Sequence, residues 1–373
     1  MLGCVMGSHR ASVIRGVVRS AALVFVLGMA ILLASCYEVS EGLHYLSIIS
    51  KAESLDRALA DPKTKGDVRD LVGWARAARA FALENFGLKE TRNYTKIVIL
   101  DADRLATVVQ ACAELSFERY LWDYPVVGKL PYRGYFDPKD AEKEVALLRK
   151  QGLDVISRPV DAFSTLGWFS DPLFSFMSSY SEADVEDLVM HEMTHATIFL
   201  KGDHPGAEQF NEELATFVGG EGSLIYLASK YGADSPEVAA ARDSRADEAA
   251  FSSYLLETGK ELEALYASRA SDDEKRKGKA RIIAARADEF KKEYASLFKG
   301  GAYRDFHMER INNAYIDLYR LYEGESRLYR DFYDKLCGGD MRRFILTVAR
   351  IAKAEADPKA EMRRELAALG EGG

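Results

Sequence analysis

The sequence of 373 residues has no excess of basic residues, since 50 lysines and arginines stand against 58 aspartates and glutamates, for a formal net charge of −8. Nucleic-acid binding depends on basic surface that neutralises phosphates, so this balance gives no electrostatic case for a nucleic-acid partner. The sequence also lacks a fixed-period repeat and a long linker. One compact unit with a helical C-terminal extension is the simplest organisation.

The N-terminal apolar run, Ala21 to Ala34, has 14 residues and falls short of the roughly 20 that a spanning helix needs. Three arginines and no acidic residue precede it, which is typical of a secretory signal over residues 1–35. Leu33-Ala34-Ser35-Cys36 resembles a bacterial lipobox, which implies cleavage before Cys36 and acylation of that cysteine. We therefore expect a protein of the bacterial cell envelope, anchored to a membrane by lipid on Cys36 and facing the periplasm or the exterior. The alternative is ordinary signal cleavage, with Cys36 incidental.

Cysteine is scarce, with four residues in the whole chain. Cys4 would be removed with the signal and Cys36 would carry lipid, which leaves Cys112 and Cys337. These two could form one disulfide in an oxidising compartment or remain two independent buried thiols. Removal of the signal and its three arginines would shift the formal net charge from −8 to −11.

The most informative motif is His191-Glu192-Met193-Thr194-His195, an HExxH pentapeptide in a segment predicted to be helical. Two imidazoles four residues apart lie one turn apart on one helical face, so both can reach a single metal ion. Glu192 points away from that pair, where it can take a proton from a water molecule at the metal. An exposed polar face of an ordinary amphipathic helix is the competing interpretation.

A second motif, residues 211–215 (NEELA), lies on the next predicted helix, Phe210 to Tyr226. Catalytic zinc commonly takes three protein ligands, and two histidines with one glutamate are a standard set. Zinc enzymes with HExxH and a later NExxA motif are gluzincins, and this pair of motifs fits their pattern. Glu212 would be the third ligand of one zinc ion, with Glu213 as the alternative.

Helical geometry favours Glu212 over Glu213. The face of Glu212 continues through small residues that would let another helix pack closely, namely Ala215, Thr216, Gly219 and Ser223. Glu213 instead shares its stripe with Phe210, Phe217 and Leu224, which is typical of core. Asp187, one turn before His191, could accept a hydrogen bond from that ring or could be a solvated helix charge.

The overall pattern predicts an α+β fold that is predominantly helical, with a small mixed sheet before the two motif helices. We predict helices near residues 40–60, 67–86, 103–119 and 139–151, strands at 95–100 and 153–160, and extended segments near 121–128 and 131–136. Residues 36–235 would form the catalytic region, and 236–373 a helical region that packs on it.

Thermolysin-like peptidases place an edge strand before the HExxH helix, where a peptide can add as a further strand. Two segments could serve here, residues 132–136 (YRGYF) and 164–169 (STLGWF). Tyr132, Arg133 and Tyr135 are therefore candidates for binding substrate or donating to a developing oxyanion, although packing is the alternative role of such aromatic segments.

Together, the lipobox, YRGYF, STLGWF, HExxH and FNEELA (210–215) resemble a family of bacterial lipoproteins described as putative zinc aminopeptidases. The resemblance runs from Cys36 to about residue 350, so the tail beyond 350 is expected to be a variable appendage. It implies a gluzincin-type catalytic domain with one Zn²⁺, a peptide substrate and Glu192 as the base. The alternatives are a lipoprotein that binds zinc or a peptide without hydrolysis, and a scaffold that binds a partner through charged helices near residues 272–300.

Overall fold

The computed structural model describes residues 41–124, 128–160, 170–201, 204, 206–320 and 326–371. The predicted signal, Cys36 and the segment 164–169 lie outside these residues. The described residues divide into two units, one of residues 41–50, 121–124 and 128–130 and the other of the described residues within 51–120 and 131–371.

The elements follow one another as strands β1 to β8 and helices α1 to α12. The strands are β1 (Glu53–Ser54), β2 (Lys96–Val98), β3 (Ala106–Ala113), β4 (Trp122–Tyr124), β5 (Gly128–Leu130), β6 (Tyr132–Tyr135), β7 (Leu153–Val160) and β8 (Leu173–Phe174). The helices are α1 (41–49), α2 (Leu55–Ala60), α3 (Gly66–Phe81), α4 (Pro138–Lys150), α5 (Glu182–Thr197), α6 (Ala207–Tyr231), α7 (Pro236–Ala267), α8 (Asp272–Leu297), α9 (Asn313–Arg320), α10 (Ser326–Asp331), α11 (Met341–Ala354) and α12 (Pro358–Glu371).

This composition confirms the predicted α+β fold with a predominance of helix. The first unit holds α1 and the antiparallel pair β4–β5. In the second unit, β2 pairs antiparallel with β1 and parallel with β8, which makes a small mixed sheet. A separate antiparallel sheet has the order β6-β3-β7 among the described strands, so β6 is the outer strand of that part of the sheet.

The helix predicted over residues 103–119 is wrong, because residues 106–113 form β3, the central strand of the antiparallel sheet. Seven of its eight residues are buried in succession, so the alternation that marks a half-exposed strand is missing. Strand β3 is paired with a strand along each edge, and α4 and α9 pack against it. Its side chains are therefore buried on both faces of the sheet. Such a continuous apolar run cannot be distinguished from a buried helix by its pattern alone.

The remaining boundaries follow local signals. Strands β2 and β7 and helices α3 and α4 lie where the sequence predicts them, whereas the predicted helix 40–60 is interrupted by β1. Gly87 ends the π turn that follows α3, and Gly152 comes shortly after the end of α4. Their φ angles are 73° and 81°, the left-handed conformation that glycine adopts without a Cβ penalty. None of the helices in the described part of the chain combines the length and apolar content that a membrane crossing requires.

The helices beyond residue 235 bury an aromatic core of their own. Phe251, Phe290 and Met308 are at its centre, and the Phe251 and Tyr303 rings stack with centroids 3.9 Å apart. Cys112 and Cys337 are both free buried thiols, so the two-thiol alternative holds. The domain boundary near residue 235 stays a prediction.

Asn313, the first residue of α9, joins this helical region to the end of β3. Its Nδ2 lies 2.9–3.0 Å from the carbonyl oxygens of Ala113, Glu114 and Ser116, and its Oδ1 accepts from the hydroxyl of Tyr266 at 2.9 Å. The residue is fully buried. The Asn313 side chain therefore connects α9 to the backbone that follows β3. Its loss would leave buried carbonyl groups without a hydrogen-bond donor.

We expect Asn313→Ala to lower the free energy of unfolding by about 2–3 kcal/mol, because buried carbonyl groups lose their donor. Urea denaturation checks this, with Asn85→Ala as the control. Among the described residues, the side-chain amide of Asn85 donates to one exposed acceptor, the Phe81 carbonyl, so that variant should change stability by less than about 0.5 kcal/mol. Equal stabilities of the two variants would contradict the role given to Asn313.

Candidate metal centre

Helix α5 presents the HExxH residues in its last turns. Ser181 caps its N-terminus, since the Ser181 hydroxyl accepts from the Asp184 N–H and the Asp184 carboxylate accepts from the Ser181 N–H. This reciprocal pair satisfies two backbone donors that a helix start otherwise leaves open. Val189 and Met193 are fully buried and fix the opposite face of the helix in the core. The polar face of α5 is thereby turned toward α6.

The three predicted ligand side chains converge. His191 Nε2 lies 3.0 Å from His195 Nε2, and the two oxygens of Glu212 lie 3.7 Å from His191 Nε2 and 3.5 Å from His195 Nε2. Their donor atoms all fall within 4.8 Å of one another, an arrangement that could hold a metal ion. The structure therefore brings together two imidazoles and one carboxylate from two neighbouring helices.

Burial sets the protonation of the two rings. It lowers the pKa of His191 to about 3, with a smaller effect from His195, and lowers the pKa of His195 to about 4. Both imidazoles are therefore neutral near pH 7, so each ring can offer the lone pair that a metal ion requires without first losing a proton.

Glu192 has the opposite perturbation. Burial, with smaller contributions from the negative charges of Asp171 and Glu212, raises its pKa to about 7. Desolvation and like charges both disfavour the ionised form of a carboxyl group. A carboxyl group whose pKa lies near neutrality can accept and return a proton in the same cycle.

Glu213, the alternative ligand, lies on a different side of α6. Its side chain is 2% exposed and pairs with Lys359 from α12, with Nζ 3.0 Å from Oε2. Phe210 and Phe217, which share its stripe, are also buried, as the sequence pattern predicts. Helix geometry therefore directs Glu212 and not Glu213 toward the rings.

Asn211 determines how α6 meets the loop that leaves α5. Its Oδ1 accepts from the Leu200 N–H and its Nδ2 donates to the Leu200 carbonyl, both at 2.9 Å. Asn211 is 4% exposed, so these bonds are shielded from water. The motif gave no role to Asn211, because its partner is a backbone group that no sequence pattern identifies.

Asp187 does not accept a hydrogen bond from His191. Its Oδ2 faces Arg245 Nη1 at 3.8 Å, and burial raises its pKa to about 7. Among the described residues, the buried Nδ1 of His195 has no hydrogen-bond partner. That ring instead packs against Phe199, 6.4 Å between centroids, and Phe199 is 57% exposed. Phe199 is thus a large apolar surface beside the ligands, which the sequence motifs did not indicate.

The other predicted substrate contacts lie on β6. Tyr132 and Arg133 are partly exposed and Tyr135 is buried, with the Arg133 guanidinium 5.8 Å from the centre of the Tyr135 ring. These three residues therefore lie on β6, which among the described strands pairs with β3 alone. Their part in substrate binding stays a prediction.

Gly219 sets the closeness of α5 and α6. A Cβ at this position would lie 2.3 Å from Asp187 Oδ1, 2.7 Å from the Asp187 carbonyl oxygen and 3.2 Å from His191 Cβ. The backbones therefore approach as closely as the predicted small-residue stripe of α6 allows. Any side chain here would push α5 away from α6 and His191 away from Glu212.

Gly219→Ala should weaken metal binding about 10-fold or more, because the methyl group separates the ligands on the two helices. The control is Gly73→Ala in α3, where a Cβ would meet nothing within 4 Å. That change should leave metal affinity intact and stabilise the helix slightly. Equal metal affinities of Gly219→Ala and the parent, measured by chelator competition, would show that close packing is not required.

Comparison with known proteins gives one family. A family model described as "Putative aminopeptidase" matches residues 36–365, whereas no curated protein and no solved structure matches the chain. The predicted end of the resemblance near residue 350 is therefore wrong, since the match continues into α12. The match covers most of the sequence and includes both motif helices. The chain belongs to this family of putative aminopeptidases.

Proposed function

We propose that the protein is a zinc-dependent peptidase with His191, His195 and Glu212 as metal ligands and Glu192 as general base. The proposal rests on the convergence of the three ligand side chains near the half-buried carboxyl group of Glu192. Family membership supports peptidase activity. The choice of zinc rests on the donor set, because two imidazoles and a carboxylate with space for a fourth ligand are typical of catalytic zinc.

The distances in the site fit this ion. Zinc bonds of about 2.0–2.2 Å in tetrahedral geometry place neighbouring ligand atoms about 3.3–3.5 Å apart. Of the three separations here, 3.5 Å falls within that range, and 3.0 and 3.7 Å lie just below and just above it. Shifts of a few tenths of an ångström would bring all three atoms to bonding positions.

Zinc held by these residues would supply Lewis acidity toward a peptide carbonyl and toward an attacking water molecule. Glu192 would remove a proton from that water and later deliver it to the amine that leaves. The Glu192 carboxyl group is near enough to Glu212 for the Glu212 charge to raise its pKa, so it would lie close to the reacting atoms. Phe199 offers an apolar wall on the same side of His195.

The charge around Glu192 supports cleavage at a free amino terminus. Asp171, which is not one of the proposed zinc ligands, acts on Glu192 as a negative charge. A substrate that brings a positive charge into this region would be favoured over a neutral segment of an internal loop. The ammonium group of a peptide amino terminus is such a charge, so we assign the enzyme amino-terminal rather than internal cutting.

We also propose that acylated Cys36 anchors the enzyme to a membrane of the bacterial cell envelope. The support is the sequence alone: a short apolar run, a lipobox-like Leu33–Cys36 segment and a family match that begins at Cys36. Two or more acyl chains hold a domain on a bilayer without a spanning helix.

Glu192→Gln should keep zinc and lower kcat about 10²- to 10⁴-fold, because the amide cannot accept the proton. Zinc content and cleavage of a peptide library, followed by mass spectrometry, test both parts. Glu208→Gln, an exposed charge one turn before Glu212, is the control and should keep most activity. A Glu192→Gln enzyme as fast as the parent would rule out the assigned base, and a parent that binds zinc but cleaves nothing would favour a binding protein.

Cys36→Ser should move the protein from the membrane fraction to the soluble fraction without changing peptidase activity, because only the lipid attachment is lost. Cys4→Ser is the control, since Cys4 lies before the predicted cleavage site and should not affect fractionation. Membrane association that survives Cys36→Ser would disprove the lipid anchor at this residue.

A further inference from the structure

Glu213 is a buried carboxylate directly next to the proposed ligand Glu212. Its side chain is 2% exposed and lies among aromatic rings. Phe210 and Phe217 flank it on α6, and the fully buried Tyr329 from α10 packs against both, with ring centroids 6.4 and 6.2 Å away. A charge in such surroundings requires a compensating cation and hydrogen bonds.

Lys359 supplies that cation from a distant part of the chain. Its Nζ lies 3.0 Å from Glu213 Oε2, and its side chain is itself only 16% exposed. The Tyr329 hydroxyl donates to the same oxygen at 3.3 Å, and Gln209 Nε2 donates to the other oxygen at 2.9 Å. Three elements, α6, α10 and α12, therefore meet at one carboxylate.

The position of Lys359 on α12 is firmly held. Lys359 is the second residue of this helix, whose Met362 is completely buried. Because α12 packs on α11 and α10, Lys359 joins α6 to the whole C-terminal group of helices. The ion pair thus constrains α6 from a different side than the candidate metal centre.

We propose that Lys359 is a positioning residue for Glu212, which it controls through its ion pair with Glu213. The inference rests on the proposed zinc function. Glu212 and Glu213 are consecutive, so their side chains leave the helix about 100° apart. Holding Glu213 against α12 fixes the rotation of this turn about the helix axis, and that rotation sets how Glu212 meets the two rings.

Three consecutive residues of this turn therefore make contacts with three different parts of the structure. Asn211 bonds the backbone of Leu200, Glu212 faces the imidazoles, and Glu213 is anchored to Lys359. Without Lys359, the Glu213 carboxylate would be an uncompensated charge among aromatic rings. The turn would then rotate to bring that charge toward water, and Glu212 would move with it.

The test compares zinc dissociation constants by chelator competition for the mature chain and three variants. Lys359→Met should weaken zinc binding about 10- to 100-fold, the usual effect of removing a group that orients a ligand. The double variant Lys359→Met with Glu213→Gln removes both charges and should recover affinity to within about threefold of the parent. Arg350→Met breaks the exposed pair between Arg350 and Glu365 on α11 and α12 and should leave zinc affinity unchanged.

Thermal unfolding of each metal-free variant shows that affinities are compared between folded proteins. If Lys359→Met binds zinc as tightly as the parent, or if the double variant is as weak as Lys359→Met, the positioning role is wrong while the proposed function stands. If the parent itself binds no zinc, the proposed function fails and this inference fails with it.

Discussion

The close packing of α5 against α6 is the constraint on which the proposed metal centre depends. Neither helix carries a complete ligand set, because α5 supplies two imidazoles and α6 supplies one carboxylate. The helices can approach only because Gly219 has no Cβ where the Asp187 carbonyl and His191 press against α6. The distance between the two helix backbones thus sets the distances between the donor atoms. An increase of about 1 Å in the helix separation would move the donors too far apart to share one ion.

Two ion pairs with little exposure to water link the helices of the C-terminal region to earlier elements of the fold. Glu213 and Lys359 connect α6 to the last helix, and Asp154 and Lys279 connect β7 to α8, both with little exposure to water. Such pairs are expensive to break because each partner would remain charged in a poorly solvating environment. Through Lys359, the last helix contacts the residue next to Glu212, although the predicted ligands all precede residue 235.

The features predictable from sequence were those set by short-range geometry. The spacing of His191 and His195 follows from 3.6 residues per turn, and the stripe of small residues distinguished Glu212 from Glu213. Strand β3 was mistaken for a helix because its pairing on both sides, which buries it, involves residues far away in the sequence. Lys359, Asp171 and Leu200 were missed for the same reason, since each meets its partner only after the chain has folded.

Zinc K-edge X-ray absorption on the purified mature protein tests the central claim most directly. The account predicts one zinc per chain, with two imidazole nitrogens at about 2.0–2.1 Å and the remaining ligands oxygen. Substoichiometric zinc, a third imidazole or sulfur in the coordination shell would contradict a centre built from His191, His195 and Glu212.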